Sequence, residues 1–471
     1  MSRPRDILTR HHPGSVAILD PDEGTETTYG QLLERVTRTA EYLRRELGRA
    51  LVFHLATNTT DSIVLYLACL EAGCPVGLLE PGSTHRWEPL LRAYEPDAIF
   101  VAPGVAVPAG ARSRPSLPDS VYRMVWGGVD RRRRTMHREL ALLLTTSGST
   151  GNPKLVRLTR NNILANARSI VSYLRVQPGD RSIQSLPMHY SYGLSLVNSH
   201  LVAGATVVLT RHSFMRPEFW DVVDQSACTS FAGVPYMYET LDRLRFDPGR
   251  HRNLHTMTQA GGGLRHDLIR SFDERCRAVE CRFFVMYGQT EATARISYVP
   301  VERLPVKIGS IGIPIPMGSL SLASLDESDH QELIYSGPNV MMGYADSPEH
   351  LAAGDELRGT LRTGDLARVD DEGFFYLTGR LGRFAKLFGR RISLEDIEKE
   401  LEFRYPIAAA ASDCQGQLLI HAAARERIDL DGMGRYLAQQ LGVPPRYIRI
   451  DAVDRIPLTA SGKKDYKALS S

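Results

Sequence analysis

Thr145-Thr146-Ser147-Gly148-Ser149-Thr150-Gly151-Asn152-Pro153-Lys154 is the stretch on which the reading of this chain turns. Five hydroxyls, Thr145, Thr146, Ser147, Ser149 and Thr150, sit around Gly148 and Gly151, where the backbone can approach a ligand closely, and Lys154 follows as a cation. The apolar run Ala141 to Leu144 leads in like a strand. The pattern is that of a phosphate-handling loop. It is not a Walker A loop, because Lys154 is followed by Leu155 instead of Ser or Thr, and the next residues read as strand before helix. Taken alone, the segment also fits an ordinary solvated Ser/Gly/Thr loop. The rest of the chain decides between the two.

Downstream, Ile163, Leu164, Ala167, Ile170, Val171 and Leu174 recur at helical spacing, which predicts an amphipathic helix over Asn161–Leu174 with Asn161 or Asn162 near its cap. Upstream, strand-like runs (Ser15–Leu19, Leu51–Leu55, Ala98–Ala102) alternate with helical patterns (Tyr29–Leu47, Thr60–Ala72). That alternation is α/β grammar. Arg112–Arg134, rich in Arg, Pro and Ser, reads as a surface excursion before the central sheet. Near Gly373 the texture changes: Phe374-Phe375-Tyr376-Leu377 is a strand ending at Thr378-Gly379-Arg380, and a small unit of about ninety residues follows. The expected domains are 1–379 and 380–471.

With 471 residues and 43% hydrophobic composition, the chain is long enough for two or three domains. Lys and Arg number 57 against 54 acids, and a net charge of +3 does not describe a nucleic-acid surface. The Arg131–Arg134 run carries no interleaved aromatic residues for base stacking and reads as a solvated loop. The six cysteines form no disulfide framework, and Cys69/Cys74 and Cys276/Cys281 lack partners at zinc spacing, so they read as reduced thiols. No secretion signal and no membrane-length apolar run is seen, and the expectation is a cytoplasmic protein.

Four further segments, Gln259-Ala-Gly-Gly-Gly263, Tyr287-Gly-Gln-Thr-Glu291, Thr363-Gly-Asp365 and Pro457-Leu-Thr-Ala-Ser-Gly-Lys463, give the loop its context. In this order and spacing the five motifs resemble those of the adenylate-forming superfamily: acyl-CoA synthetases, adenylation domains of peptide synthetases and luciferases. The likeness runs from Tyr29-Gly30-Gln31 to Lys463. It implies an α/β fold with a large N-terminal domain of packed β-sheets and helices, a small mobile α+β C-terminal domain, and an ATP-dependent ligase that forms an acyl adenylate and releases pyrophosphate.

The resemblance also implies roles. Thr146, Ser147, Gly148, Ser149, Thr150, Gly151 and Lys154 would hold the β- and γ-phosphates. Tyr287 would offer a flat face to adenine, with Gly261, Gly262 and Gly263 bordering ring and substrate and Gly288 and Gln289 completing the nucleotide site. Thr290 would contact the α-phosphate. Glu291 would ligate Mg²⁺, a hard carboxylate for a hard cation. Asp365 would accept hydrogen bonds from the ribose hydroxyls and Arg380 would add a second ribose contact. Lys463, on a Gly-containing loop of the small domain, would be the catalytic cation bridging the α-phosphate and the acid, where charge counts most in the transition state. Beside Lys464 and Lys467 it would otherwise pass for a tail lysine.

The family borders its acid with two segments that fall here at His189, Tyr190 and Tyr192 and at Tyr236, Met237 and Tyr238, although such aromatic residues are as often ordinary core. Their bulk points to a short or aromatic acid. Arg295, four residues past Glu291, suits either an anionic substrate group or a structural carboxylate.

The chain departs from the family at the domain junction, where Gly379-Arg380-Leu381-Gly382 lacks the usual hinge carboxylate. Arg383-Phe384 and Lys386-Leu-Phe-Gly-Arg-Arg-Ile392, leading into a helix with Asp396-Ile397-Glu398, look like a subgroup found near polysaccharide and secondary-metabolite genes. Two acceptor classes stay open: a thiol of CoA or of a carrier protein's pantetheine arm, or an amine, with nitrite activation for N–N bond formation as a variant of the latter. A non-catalytic nucleotide-binding scaffold would have lost Lys463 or Glu291, and both are present.

Overall fold

A computed structural model of the chain describes residues 3–82, 84–105, 112–113, 117, 120–126, 135–145, 154–325, 328–381, 384–387, 390–414, 417–424, 429–441, 443–459, 464–466 and 468–469. They divide into two compact units, 1–319 with 335–361, and 320–334 with 362–471. The expected boundary at 379/380 falls within the second unit, near the end of the strand Phe375–Arg380.

The first unit carries two large sheets. In the nine-stranded one, Arg181–Ile183, Thr206–Val208, Ser230–Gly233, Thr256–Gln259 and Arg282–Tyr287 run parallel. In the eight-stranded one, Leu140–Thr145 pairs with Val76–Leu79 on one side and with Leu155–Thr159 on the other, and Gly343–Ala345 adds to the edge beyond Leu155–Thr159. Helices Thr60–Ala72 and Ser191–Ala203 share one core with strands of both sheets, through residues such as Leu67, Leu194, Val207 and Leu142. Covered on both sides, they have lost the polar face that a surface helix keeps. Each Leu or Val buried there contributes about 1.5–3 kcal/mol.

Local signals account for the helix ends. Tyr29–Leu47 begins at Thr28, whose side chain accepts from Gln31 N while Gln31 answers to Thr28 N, and it stops at Gly48 at φ 66°. Thr60–Ala72 is capped by Thr59 and ends on Gly73 at φ 79°. The third helix spans Arg160–Leu174. Its cap is Thr159, two or three residues earlier than the expected Asn161 or Asn162, because the last residue of the preceding strand already has the extended φ/ψ and the hydroxyl a cap needs. Asn162 is the reciprocal partner: Oδ1 accepts from Thr159 N, and Nδ2 donates to Pro338 O and Val340 O.

The Arg112–Arg134 stretch is not wholly a surface excursion. Arg123–Trp126 pairs antiparallel with Ala98–Val101, and Tyr122 and Met124 are buried. The run Arg131–Arg134 lies outside the described residues.

In the second unit, Ser319–Leu325, Ser328–Ser336, Thr360–Val369 and Phe375–Arg380 form a four-stranded sheet. Ile407–Cys414, Gln417–Ala424 and Ile448–Val453 form a three-stranded one packed with helices Leu394–Arg404 and Leu430–Leu441 around Ile397, Leu401, Ile420, Met433 and Leu437. The mixed α/β class read from the sequence is what the chain adopts. Cys69, Cys74, Cys228, Cys276 and Cys281 are buried free thiols. Among the described residues no helix is long and apolar enough to cross a membrane.

Candidate active site

Parallel strands deliver their following loops to one edge of a sheet, and in open α/β sheets that edge is where ligands bind, above all where the strand order reverses. Here the order reverses around Arg181–Ile183: the next strand in sequence, Thr206–Val208, lies on one side of it, and the one after, Ser230–Gly233, on the other. The segments leaving these strands are Gln184 to Tyr190, Val234 to Tyr236, Ala260 to Gly263 and Gly288 to Glu291. Each contains residues singled out above.

The Gly261 loop is shaped by contact. Gly261 has φ 90°, and a Cβ there would lie 2.6 Å from the Tyr190 hydroxyl and 3.1 Å from Val234 Cγ1. Only glycine adopts that backbone cheaply and admits Tyr190. Gln259, buried, ties the loop through Nε2 to Gly262 O at 2.8 Å. Gly263 has nothing within 4 Å of an added Cβ and borders open space. Gly288 is different, since its missing side chain is filled by the chain's own backbone at Ala294 and Arg295, which doubles back so that Tyr287 pairs with Ser297.

That return places the residues after Tyr287. Gln289 Nε2 donates to the Tyr287 hydroxyl at 3.1 Å, and Thr290–Ala292 is a single tight turn. Thr290 Oγ1 lies 3.2 Å from Ser191 Oγ, at the start of the helix Ser191–Ala203, whose N-cap Tyr190 supplies no side-chain cap. Glu291 Oε1 accepts from the Tyr344 hydroxyl at 2.7 Å, and the ring of Tyr344 lies 5.7 Å under Lys154 Nζ. Lys154 and Glu291, named from different motifs, therefore meet at one tyrosine. Thr146 to Gly151 lie outside the described residues, as does Lys463.

Two residues the sequence reading passed over organise this corner. Tyr344 arrives because Gly343–Ala345 pairs antiparallel with Leu155–Arg157. Asn339, buried, donates through Nδ2 to Ala292 O and Arg295 O while its backbone oxygen accepts from Thr293 Oγ1, pinning the chain that follows Glu291. A Pro-Asn pair before the run Val340-Met-Met-Gly-Tyr344 was the available signal, and it is weak.

The acid-side residues divide. Tyr190 and Tyr192 stand together, rings 6.3 Å apart and edge to face, and the Tyr192 hydroxyl bonds Thr258. The loop carrying His189 is held by Asn58, which donates to Leu186 O and accepts from Met188 N. Tyr236 turns instead to Phe214 and Met215, while Tyr238 is core, packed on Phe272 and Phe283 with its hydroxyl on Thr258 O.

Arg295 comes into the Tyr190–Tyr192 group. Its guanidinium carbon sits 3.8 Å from the centre of the Tyr192 ring, and the residue is only 2% exposed. A cation–π contact contributes about 0.5–2 kcal/mol. Desolvating a guanidinium costs several kcal/mol, so the ring alone does not balance its burial.

In the second unit, Asp365 and Arg380 face each other across an antiparallel pair, Arg380 Nε 3.4 Å from Asp365 Oδ1. Asp365 is buried and its backbone N donates to Thr363 Oγ1, which is fixed to Leu333 O. The two residues expected on the ribose are thus neighbours.

Glu291 fits a cation of the magnesium type. It is half-buried, Oε2 has no protein partner among the described residues, and no group of three His, Cys, Asp or Glu gathers there to form a closed cage. Magnesium is typically held by one or two carboxylates together with substrate phosphates and water.

The sequence profile of the AMP-binding enzymes matches residues 8–345. The chain is 28% identical to feruloyl-CoA synthase of an Amycolatopsis species over 479 aligned positions, covering 93% of this chain and 92% of that one. It is 30% identical over 346 positions to sulfoacetate–CoA ligase of Cupriavidus necator, covering 69% of this chain and 65% of the relative. In fold it resembles the o-succinylbenzoate–coenzyme A synthetase of Bacillus subtilis solved with AMP, with a TM-score of 0.79 at 22% identity, covering 98% and 97% of the two chains. The chain belongs to the AMP-binding enzyme family and is an adenylate-forming ligase.

Proposed function

We propose that this protein adenylates a small or aromatic carboxylic acid with ATP and passes the acyl group to the thiol of CoA. The observation that carries this reading is the convergence on one sheet edge of the Gly261 loop, the Tyr287–Glu291 turn and the Tyr190 segment, with Lys154 joined to that turn through Tyr344. Both curated relatives named above carry CoA as the acceptor in their names. ATP and CoA being cytoplasmic metabolites, we assign the reaction to that compartment.

In the first step a carboxylate oxygen attacks the α-phosphorus, the bond to the bridging oxygen of the β-phosphate breaks, and pyrophosphate leaves with the electron pair. Attack by an anion on an anion is slow unless charge is neutralised and the partners are held in line. In our assignment Thr146 to Gly151 and Lys154 hold the β- and γ-phosphates, and Thr290 donates to the α-phosphate. Tyr287 and Gly261 to Gly263, with Gly288 and Gln289 shaping the turn, hold adenine, and Asp365 and Arg380 hold the ribose. Bound at Glu291, Mg²⁺ would supply positive charge against the phosphates. Lys463 supplies the charge that grows in importance as the new bond forms. His189, Tyr190, Tyr192, Tyr236 and Arg295 are the candidates for the acid. In the second step the thiol sulfur attacks the acyl carbon, losing its proton, and AMP departs.

The test is magnesium-dependent exchange of labelled pyrophosphate into ATP with a panel of acids, then product formation with CoA, carrier protein and amines offered separately. Exchange and an acyl-CoA product are expected; ADP in place of AMP would refute the chemistry, and product with an amine alone would reassign the acceptor.

A further inference from the structure

Among the described residues of the first unit, two arginines, Arg157 and Arg295, are almost completely buried, and they are treated in opposite ways. Arg157 is fully enclosed: Nε donates to Tyr344 O at 3.1 Å, Nη1 to Ala353 O at 2.5 Å and Gly354 O at 3.2 Å, and Nη2 to Glu356 at 2.8 Å. This is what a structural buried cation needs, a counter-charge and an acceptor for every nitrogen. Arg295, at 2% exposed, has neither among the described residues. Its Nε is buried without a hydrogen-bond partner, and among the described residues no Asp or Glu forms an ion pair with it.

Its neighbours supply no negative charge. The phenols of Tyr173, Tyr190 and Tyr192 surround it, and burial pushes each of them up, Tyr190 to about 12, so all stay protonated at neutral pH. Tyr173 spends its proton on Met286 Sδ and Tyr192 bonds Thr258. The Tyr173 phenol oxygen is the neutral acceptor that meets the guanidinium, and the other polar groups that reach Arg295 hold its backbone: Asn166 and Asn339 both donate to Arg295 O, at 3.1 and 2.9 Å. The chain thus fixes where the guanidinium stands and leaves its charge unpaired, beside the Tyr190 that touches the Gly261 loop.

We infer that Arg295 is the specificity residue for a second anionic group on the acid, so that the preferred substrates are dicarboxylic or similarly dianionic acids, one carboxylate being activated and the other paired with Arg295. The inference rests on the adenylation reading of the same site. Guanidinium matches a carboxylate bidentately, which gives direction as well as charge. The flat phenol of Tyr192 lies against the guanidinium, 3.8 Å from its carbon to the ring centre, and holds it in place.

The experiment compares matched pairs of acids in pyrophosphate exchange, for instance hexanoate against adipate and cinnamate against 4-carboxycinnamate, with wild type, Arg295→Met and Arg295→Lys. For wild type, kcat/KM for the diacid should exceed that for its monoacid partner by about tenfold to a hundredfold, the range of a hydrogen bond to a charged group. In R295M that ratio should fall to near one, and R295K should keep part of it. Equal use of mono- and diacids by wild type, or a diacid preference that survives R295M, overturns the inference and leaves adenylation standing. No exchange with any acid overturns the adenylation reading itself and this inference with it. Should R295M fail to fold, the wild-type ratio and R295K decide.

Discussion

Lys464, next in sequence to Lys463, is locked into the second unit, and removing its charge should loosen that unit and slow adenylation together. Its Nζ donates to Glu398 Oε2 at 3.0 Å, Glu402 Oε1 at 2.8 Å and Ala409 O at 2.6 Å. Glu398 also accepts from Tyr466 and from Ala411 N, and Glu402 from Ala409 N. On either side of Lys463, Asp465 N donates to Pro457 O and Lys464 bridges Leu458, so the lysine's segment is tied at both ends. Breaking a buried pair by deleting one partner costs about 3–5 kcal/mol. Lys464 and Glu402 keep about a quarter and a third of their side chains in solvent, and Glu398 retains two other donors, so screening lowers the expected cost of Lys464→Met to about 2–3 kcal/mol. At about 1.4 kcal/mol per decade this is a thirtyfold to hundredfold rise in local opening. Hydrogen exchange of the strand Ile407–Cys414 in the full chain measures it, and pyrophosphate exchange should show a lower kcat with the KM for ATP little moved. Burial works to lower the Lys464 pKa, but attraction to Glu398 and Glu402 outweighs it and the value is raised. Its stabilisation is therefore complete below the ordinary lysine range and is lost only as pH climbs through the elevated native value, so the difference between wild type and K464M should persist unchanged from pH 7 to 9. Unaltered exchange in that strand together with unaltered kcat would refute the argument.

Tyr287→Ala and Asp365→Ala should each weaken ATP binding, since stacking and ribose contacts act before the transition state; wild-type affinity in both, measured by equilibrium titration, would remove the nucleotide from its assigned place. Lys463→Ala should lower single-turnover adenylation about a hundredfold or more with ATP affinity only moderately changed, by analogy with removing a donor from an oxyanion site. If that variant makes adenylate normally and fails only when a thiol is added, Lys463 serves transfer, and Lys386 becomes the first candidate for activation.

The fold was legible where the chain marks its own boundaries. Tyr29–Leu47 and Thr60–Ala72 are read to the residue because a capping threonine and a left-handed glycine bracket each apolar pattern. The marks failed where one residue serves two elements. Thr159 ends a strand and caps a helix, and the apolar run Leu155–Leu158 in front of it hides the second role. At Arg123–Trp126 composition misled: three apolar residues in a stretch rich in Arg, Pro and Ser read as surface, yet pairing with Ala98–Val101 buries Met124. Strands this short carry too little periodicity to separate from loop.

The site was legible as chemistry and illegible as geometry, and Arg295 shows why the difference matters. Residue type and its distance past Glu291 left two readings open, a substrate anion or a structural carboxylate, and sequence offers no means of weighing them. Arg157 shows that sequence would have misassigned the pair: embedded in Leu155-Val-Arg-Leu-Thr159, it reads as one polar residue of a strand, yet it is the arginine that holds the structural carboxylate, Glu356, from 199 positions away. The glycine at 343 completes that arrangement, since a Cβ there would press on Glu356 and lie 2.7 Å from Arg157 Nη2. A buried cation costs free energy in any fold. Where the fold itself meets that cost, as at Arg157, the charge is architecture. Where the protein fixes the backbone with Asn166 and Asn339 and, among the described residues, supplies no anion, as at Arg295, we infer that the missing charge arrives with the ligand.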